Sequence, residues 1–177
     1  MTFTVFKVVA VFCGLFALAR GQSTNVQRCL ISRGGLPLNT HVHGCTTPPC
    51  LLPQLQDAVI DVIFEAPRTI NNMTTLATAT LNFIVEVTIP LDLQENSVTC
   101  NFLTNAACPI QQGENIRYRL NMFIESFFPV NTVATVEFRV RDNEVGDDIW
   151  CTRVPIRIQP PQSAAASDSI PALLTAE

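Results

Sequence analysis

Charge is scarce in this chain of 177 residues: Asp, Glu, Lys and Arg together make up 15%, well below the usual share of a soluble domain. Lysine is almost absent, Lys7 being the sole example, and every other basic side chain is arginine. With a pI near 5.1, the chain lacks the clustered cations from which nucleic-acid recognition starts, and no nucleic-acid partner is expected. Histidine is confined to His41 and His43 in one loop, and no Gly-x-Ser-x-Gly elbow is present. Nucleophilic catalysis therefore has no constellation to work with, and the chain reads as a non-enzyme that needs no cofactor. Long apolar runs are missing as well. The longest, Val8–Ala19, has 12 residues, short of a membrane span, and Ile170–Leu174 is too brief for a lipid-anchor signal. What is abundant is apolar character, at 47%. That excludes intrinsic disorder of the whole chain and suffices for one domain with a real core.

Part of the apolar surplus belongs to targeting. Residues 1–21 read as a secretory signal peptide, with Lys7 as the positive n-region, Val8–Ala19 as the apolar run, and small residues flanking Arg20 at Ala19 and Gly21. Its removal takes Cys13 away and leaves six cysteines: Cys29, Cys45, Cys50, Cys100, Cys108 and Cys151. An even count behind a signal reads as three disulfides formed in an oxidising compartment. Spacing narrows the pairings. Cys45 and Cys50 flank a Thr-Thr-Pro-Pro turn, Cys100 and Cys108 flank an Asn-rich one, and each pair could staple a loop. Cys29 would then join Cys151, tying the two ends of the domain.

Residues 22–56 are rich in turn signals, and from Asp57 the pattern becomes period-two. Ala58, Ile60, Val62 and Phe64 alternate with polar neighbours, as do Leu81, Phe83, Val85, Val87 and Ile89 in what reads as one strand. The same alternation recurs at Ile116–Leu120, Val136–Val140 and Val154–Ile158, with Asp142–Asp148 reading as the turn between the last two. No stretch keeps a helical period. Short alternating strands predict an all-β chain folded as a two-sheet β-sandwich over residues 22–158. Residues 159–177, rich in Pro, Ala and Ser, read as a disordered tail.

Few residues invite chemistry. His41-Val42-His43-Gly44-Cys45 with Cys50 has a metal-site look, but cysteines in an oxidising compartment pair with each other, so no metal is expected. The arginine pairs 117/119 and 139/141 suit the solvated faces of strands. Asn72-Met73-Thr74 is a glycosylation sequon in a polar stretch between strands. The distinctive feature is bulky apolar supply: Phe64, Phe83, Phe102, Phe123, Phe127, Phe128 and Phe138. One reading packs them into a filled core. The other parts the sheets and lines a cavity, with Phe64 and Phe83 as candidates for its wall. Composition leaves both open.

Further marks are more specific. They are the early Cys29; Gly44-Cys45 with Pro49-Cys50; Ile89-Pro90-Leu91 ahead of Cys100; and Cys108-Pro109-Ile110-Gln111. The Tyr118 strand, Phe128-Pro129, Val136-Glu137-Phe138 and Cys151 with Val154-Pro155-Ile156 complete them. In this order the sequence resembles the ML-domain lipid-recognition family over residues 25–158, above all its Niemann–Pick type C sterol-carrier branch and the group-two mite allergens. The resemblance implies an immunoglobulin-like sandwich whose sheets part around one lipid. It implies disulfides Cys29–Cys151, Cys45–Cys50 and Cys100–Cys108. Carried across residue by residue, it puts Leu91, Ile116, Tyr118, Ile124, Phe128 and Phe138 on pocket positions. Leu91 stands for a phenylalanine, Ile124 for a valine, Ile116 and Phe128 for tyrosines and Phe138 for a tryptophan, while Tyr118 stays aromatic. The positions remain apolar, but the shape and the hydrogen-bonding tips change.

The function so implied is a secreted, monomeric carrier of a sterol, a fatty acid or another small hydrophobic lipid ligand, with a membrane or receptor as partner for transfer. Its destination would be extracellular fluid or an endosomal or lysosomal lumen. The alternative is a glycolipid-sensing module of innate immunity that acts with a receptor. That role favours a cationic rim, which a chain without lysine beyond residue 7 supplies poorly.

Overall fold

Of the five stretches with period-two alternation, four form one strand each and the fifth forms two in the computed structural model, which describes residues 22–82 and 86–162. The signal segment 1–21, Phe83 and residues 163–177 of the tail lie outside the described residues. The strands are β1 (Asn39–Val42), β2 (Cys50–Pro53), β3 (Asp57–Glu65), β4 (Met73–Asn82), β5 (Glu86–Leu91), β6 (Asn115–Phe123), β7 (Val133–Asp142) and β8 (Asp148–Gln159). They build a three-stranded sheet in the order β1-β3-β6 and a five-stranded sheet in the order β2-β8-β7-β4-β5. All neighbours pair antiparallel except β2, which runs parallel to β8. Two short 3-10 turns, Gln94–Ser97 and Thr99–Phe102, lie between β5 and β6.

The pleat puts alternate residues on opposite faces, and burial follows it. On β3, Ala58, Ile60, Val62 and Phe64 are buried; on β6, Ile116, Tyr118, Leu120 and Met122 face them from the same sheet. On β7, Ala134, Val136, Phe138 and Val140 point inward, and on β8 Trp150, Thr152, Val154, Ile156 and Ile158 do so. The two inner faces form one contiguous core. Outward positions carry the arginines at 117/119, 139/141, 153 and 157.

The stretch Leu81–Ile89 is not the single strand its alternation predicts. β4 ends at Asn82, β5 starts at Glu86, and the two pair with Leu81 opposite Val87 and Asn82 opposite Glu86. Cross-strand partners here are separated by even numbers of residues, so the apolar phase passes through the reversal unbroken. Phe83-Ile84-Val85, between the two strands in sequence, contains no Gly, Pro or Asn, the residue types by which a sequence announces a reversal. β1, β2 and the first part of β4 also escape the alternation rule. β1 and β2 have four residues each, and β4 buries Thr75, Ala77 and Ala79 while Leu76, opposite the outward Arg139, stands on the outer face. At the far end, β8 takes in Gln159, one residue into the segment assigned to the tail.

The N-terminal segment is laid along β8 through bridges from Gln27 to Arg153 and from Gly35 to Trp150. Gly34 is required there, since a Cβ would sit 2.8 Å from the carbonyl carbon of Trp150. The disulfide Cys29–Cys151 locks this contact, with Cys45–Cys50 and Cys100–Cys108 closing local loops. The β7–β8 turn hangs on Asp142. Its buried carboxylate accepts from Arg68 Nε at 2.8 Å and from the backbone N–H of Glu144 at 2.9 Å.

The cysteine separations are 122 residues for Cys29–Cys151 and 5 for Cys45–Cys50. Loop entropy then predicts that urea unfolding of a Cys29→Ser/Cys151→Ser variant shows a loss of about 5 kcal/mol, against about 2 kcal/mol for Cys45→Ser/Cys50→Ser. Equal losses would mean that chain entropy does not set the contribution of these bonds.

Candidate ligand cavity

The inner faces taper, and the register shows why. At one end Phe64, Tyr118 and Trp150 come together from both sheets, with ring centroids 6.2 Å (Phe64–Trp150) and 6.3 Å (Tyr118–Trp150) apart. Met73, Ile70, Ile110 and Ile116 fill the space around them, all fully buried. Toward the other end the strands carry Ala58, Ala79 and Ala134 at inward positions, with Ala79 beside Val136 and Ala134 beside Leu81 and Ile156. Large rings wedge one end shut, and alanines leave the other end short of side-chain volume. Because interiors otherwise fill to crystal-like density, a gap of this kind becomes a cavity.

The closed end is pinned by hydrogen bonds as well as packing. Tyr118 Oη on β6 lies 2.7 Å from Thr75 Oγ1 on β4, and Thr75 Oγ1 lies 2.8 Å from Thr99 Oγ1. Burial pushes the Tyr118 phenol above its ordinary range, with the Thr75 hydroxyl opposing weakly, so the group stays neutral and serves as a hydrogen-bonding tie between the sheets.

At the open end lies a cavity of about 860 Å³. Ala79, Ala134, Val136, Ile156 and Ile158 form its wall on the five-stranded sheet, and Met122 and Ile124 face them from the end of β6. β5 and the turn that follows it contribute Ile89, Pro90, Leu91 and Leu93, while the β6–β7 connection contributes Phe127, Phe128 and Pro129. Polar lining is confined to Asp92, Gln94, Asn96, Asn121, Glu125 and Thr132. The β6–β7 wall is hung from one side chain. The buried amide Gln54 donates from Nε2 to the carbonyls of Ser126 (3.0 Å) and Phe128 (2.6 Å). Backbone bonds from Leu55 N–H to Ile124 O and from Ile124 N–H to Gln56 O continue the tie. Beyond it Phe127 is 73% exposed, with its ring 4.4 Å from that of Phe128, so the mouth presents aromatic surface to water.

Among the residues the sequence offers as pocket positions, Leu91, Ile124 and Phe128 line this cavity. Phe64, Ile116, Tyr118 and Phe138 do not: they lie in the close-packed core. Phe64, Ile116 and Tyr118 belong to the wedge, and Phe138 sits one inward position deeper than Val136, beside Ala77 and Thr152. Phe83 lies outside the described residues. The sequence reading missed the alanines and Gln54. Small residues at successive inward positions were the available signal for the first, and a lone glutamine after Pro53 offers none for the second.

The polar candidates sit elsewhere. His43 is on the outer side of the three-stranded sheet, with Nε2 2.7 Å from Asp61 Oδ2, and Arg119 donates to both oxygens of Asp61 at 2.7 and 3.1 Å. The Arg119 guanidinium holds the Asp61 carboxyl below its usual value; partial burial opposes this and His43 adds to it. Arg139 and Arg141 reach Asp148 at 3.7 and 3.2 Å. Cys45 and Cys50, the neighbours of the two histidines in the metal-like cluster, are bonded to each other. Asn72 is exposed, directly ahead of β4.

Comparison with known proteins follows from this geometry. The family model described as ML domain matches residues 23–158. The crystal structure of a Niemann-Pick type C2 protein from Japanese carpenter ant superposes with a TM-score of 0.63 at 18% identity, covering 76% of this chain and 98% of that one. Chicken MD-1 complexed with lipid IVa gives a TM-score of 0.38 at 11% identity, over 64% of this chain and 75% of that one. No curated protein sequence matches.

Asp61 gives the outer face a pH signature. Its carboxyl is depressed in the folded protein, so its contribution is present above the unfolded aspartate value near ~3.9 and is lost as pH falls through the lower folded value. An Asp61→Asn variant should therefore melt slightly lower than wild type at neutral pH, with the difference disappearing in strong acid. A difference that persists undiminished in strong acid would remove the ion pair as its source.

Proposed function

The chain belongs to the ML-domain family of lipid-recognition proteins, and on that premise we propose that it is a carrier that holds one sterol, fatty acid or other small hydrophobic molecule between its sheets and passes it on. The observation that carries this reading is the cavity of about 860 Å³ walled by aliphatic and aromatic side chains. That size falls in the range of pockets that enclose most of a small ligand's surface. Each methylene moved out of water contributes about 0.8 kcal/mol, so ten supply roughly 8 kcal/mol before the cost of immobilising the ligand. Affinity of this origin asks for little polar contact.

Leu91, Ile124 and Phe128 would touch the ligand directly, and Phe64, Ile116, Tyr118 and Phe138 would act from behind by keeping the closed end closed. Residues 1–21 would direct the chain out of the cytosol, 22–158 together with Gln159 of β8 would form the lipid domain, and the rest would follow it as a tail. Three disulfides suit an extracellular or lumenal setting, and Asn72 is exposed for a glycan. Among the described residues no helix is long and apolar enough to cross a membrane.

Native mass spectrometry of the purified protein should find a single lipid-sized adduct that organic extraction removes. An empty protein that takes up neither a sterol nor a fatty-acid probe would sink the carrier reading. Ala134→Phe should fill the open end, lowering probe affinity by at least about tenfold through lost cavity volume while the fold is retained. Unchanged binding in a folded Ala134→Phe protein would put the ligand elsewhere.

A further inference from the structure

The cavity's polar lining has a one-sided charge. Asp92 and Glu125 are acidic, Gln94, Asn96, Asn121 and Thr132 are neutral, and none of the described lining residues is Arg, Lys or His. The sequence makes this a property of the whole mouth. Residues 86–93 and 123–132, within which two of its walls lie, contain Glu86, Asp92 and Glu125 and no basic residue. The arginines are committed to other places by strand alternation: 117 and 119 outward on β6, 139 and 141 outward on β7, 153 and 157 away from the inner face of β8. Arg68 pairs with Asp142 at the β7–β8 turn. Arg28 and Arg33 lie in the N-terminal segment laid along β8 and are not among the lining residues, and Lys7 and Arg20 fall in residues 1–21, outside the described residues.

A lipid anion placed here would find no cation among the described lining residues, would lose part of its water to the apolar wall, and would sit beside two exposed carboxylates. An unpaired desolvated charge is costly, and like charges brought together add to that cost. A hydroxyl or amide meets the opposite situation. It can donate to a carboxylate or to an Asn or Gln carbonyl, and accept from the side-chain amides of Gln94, Asn96 or Asn121. Asp92 is already set in the turn, accepting from the backbone N–H of Gln94 at 2.8 Å through Oδ1. We infer that the cavity selects amphiphiles whose polar end is an uncharged hydroxyl or amide, and rejects ionised carboxylates and phosphates. This inference rests on the carrier reading and narrows it.

The test compares two ligands with the same chain and different ends. Hexadecanol and palmitate compete for a neutral fluorescent probe, N-phenyl-naphthylamine, on the full chain at low salt and mildly alkaline pH, where palmitate is ionised. Hexadecanol should bind at least about tenfold more tightly, and the gap should narrow in high salt as the charges are screened. In the Asp92→Asn/Glu125→Gln variant the ratio of the two affinities should fall severalfold; both changes keep side-chain size and acceptor oxygens. Glu125→Lys should lower it further. Palmitate binding as tightly as hexadecanol, or a ratio unmoved by the double substitution, would overturn the inference and leave the carrier standing. If the probe and both ligands fail to bind, the carrier reading itself falls, and this inference with it.

Discussion

The contact on which the cavity depends is the meeting of Tyr118, Phe64 and Trp150 across the two sheets, with the Tyr118 hydroxyl tied to Thr75 on the opposite layer. A sandwich gains its stability by bringing inner faces together, so holding them apart at one end needs a strong attachment at the other. Aromatic area and a buried hydrogen bond supply it here. The Cys29–Cys151 bond reinforces the same region, since Cys151 follows Trp150 directly. Stability and vacancy are thus divided lengthwise: large rings occupy one end, and at the other the inward rows of β3, β4 and β7 carry Ala58, Ala79 and Ala134.

That division explains what was legible in the residues. Strands β3, β6, β7 and β8 announce themselves because apolar residues recur at every second position with charged residues at many of the positions between. The first part of β4 is silent because, after Met73, its inward side is Thr75, Ala77 and Ala79, types that hydropathy does not separate from a solvated face. On this strand Ala79, which makes room in the cavity, also helps conceal the strand. Pocket positions transferred by resemblance divide the same way. Leu91, Ile124 and Phe128 sit where the layers separate, while Phe64, Ile116, Tyr118 and Phe138 sit where they meet. Nothing in a linear pattern says how far apart two faces stand. That depends on which rows oppose each other, and so on strand pairing. Gln54 was illegible for a related reason, because its partners at Ser126 and Phe128 are more than seventy positions away.

Charge placement follows from the same alternation. With six arginines at outward strand positions and acids both on those faces and in the connecting segments, the outer faces carry ion pairs such as Asp61–Arg119 and Arg141–Asp148. The connections at the mouth carry carboxylates and amides alone. The scarcity of charge across the chain is therefore unevenly distributed: solubility is concentrated on the outer faces, and the entrance is left oily and mildly negative.

An oily entrance beside open sheet edges creates a hazard of self-association, because an unpaired strand offers a ready template for another chain. The two edges of the five-stranded sheet are β2 and β5, and each carries a proline, Pro53 and Pro90. Proline has no amide hydrogen to offer a newcomer. Pro90 is also part of the cavity wall, so one ring both touches the interior space and interrupts the ladder at its rim. Each edge of the five-stranded sheet thus has one position at which a second copy of the chain would find no donor.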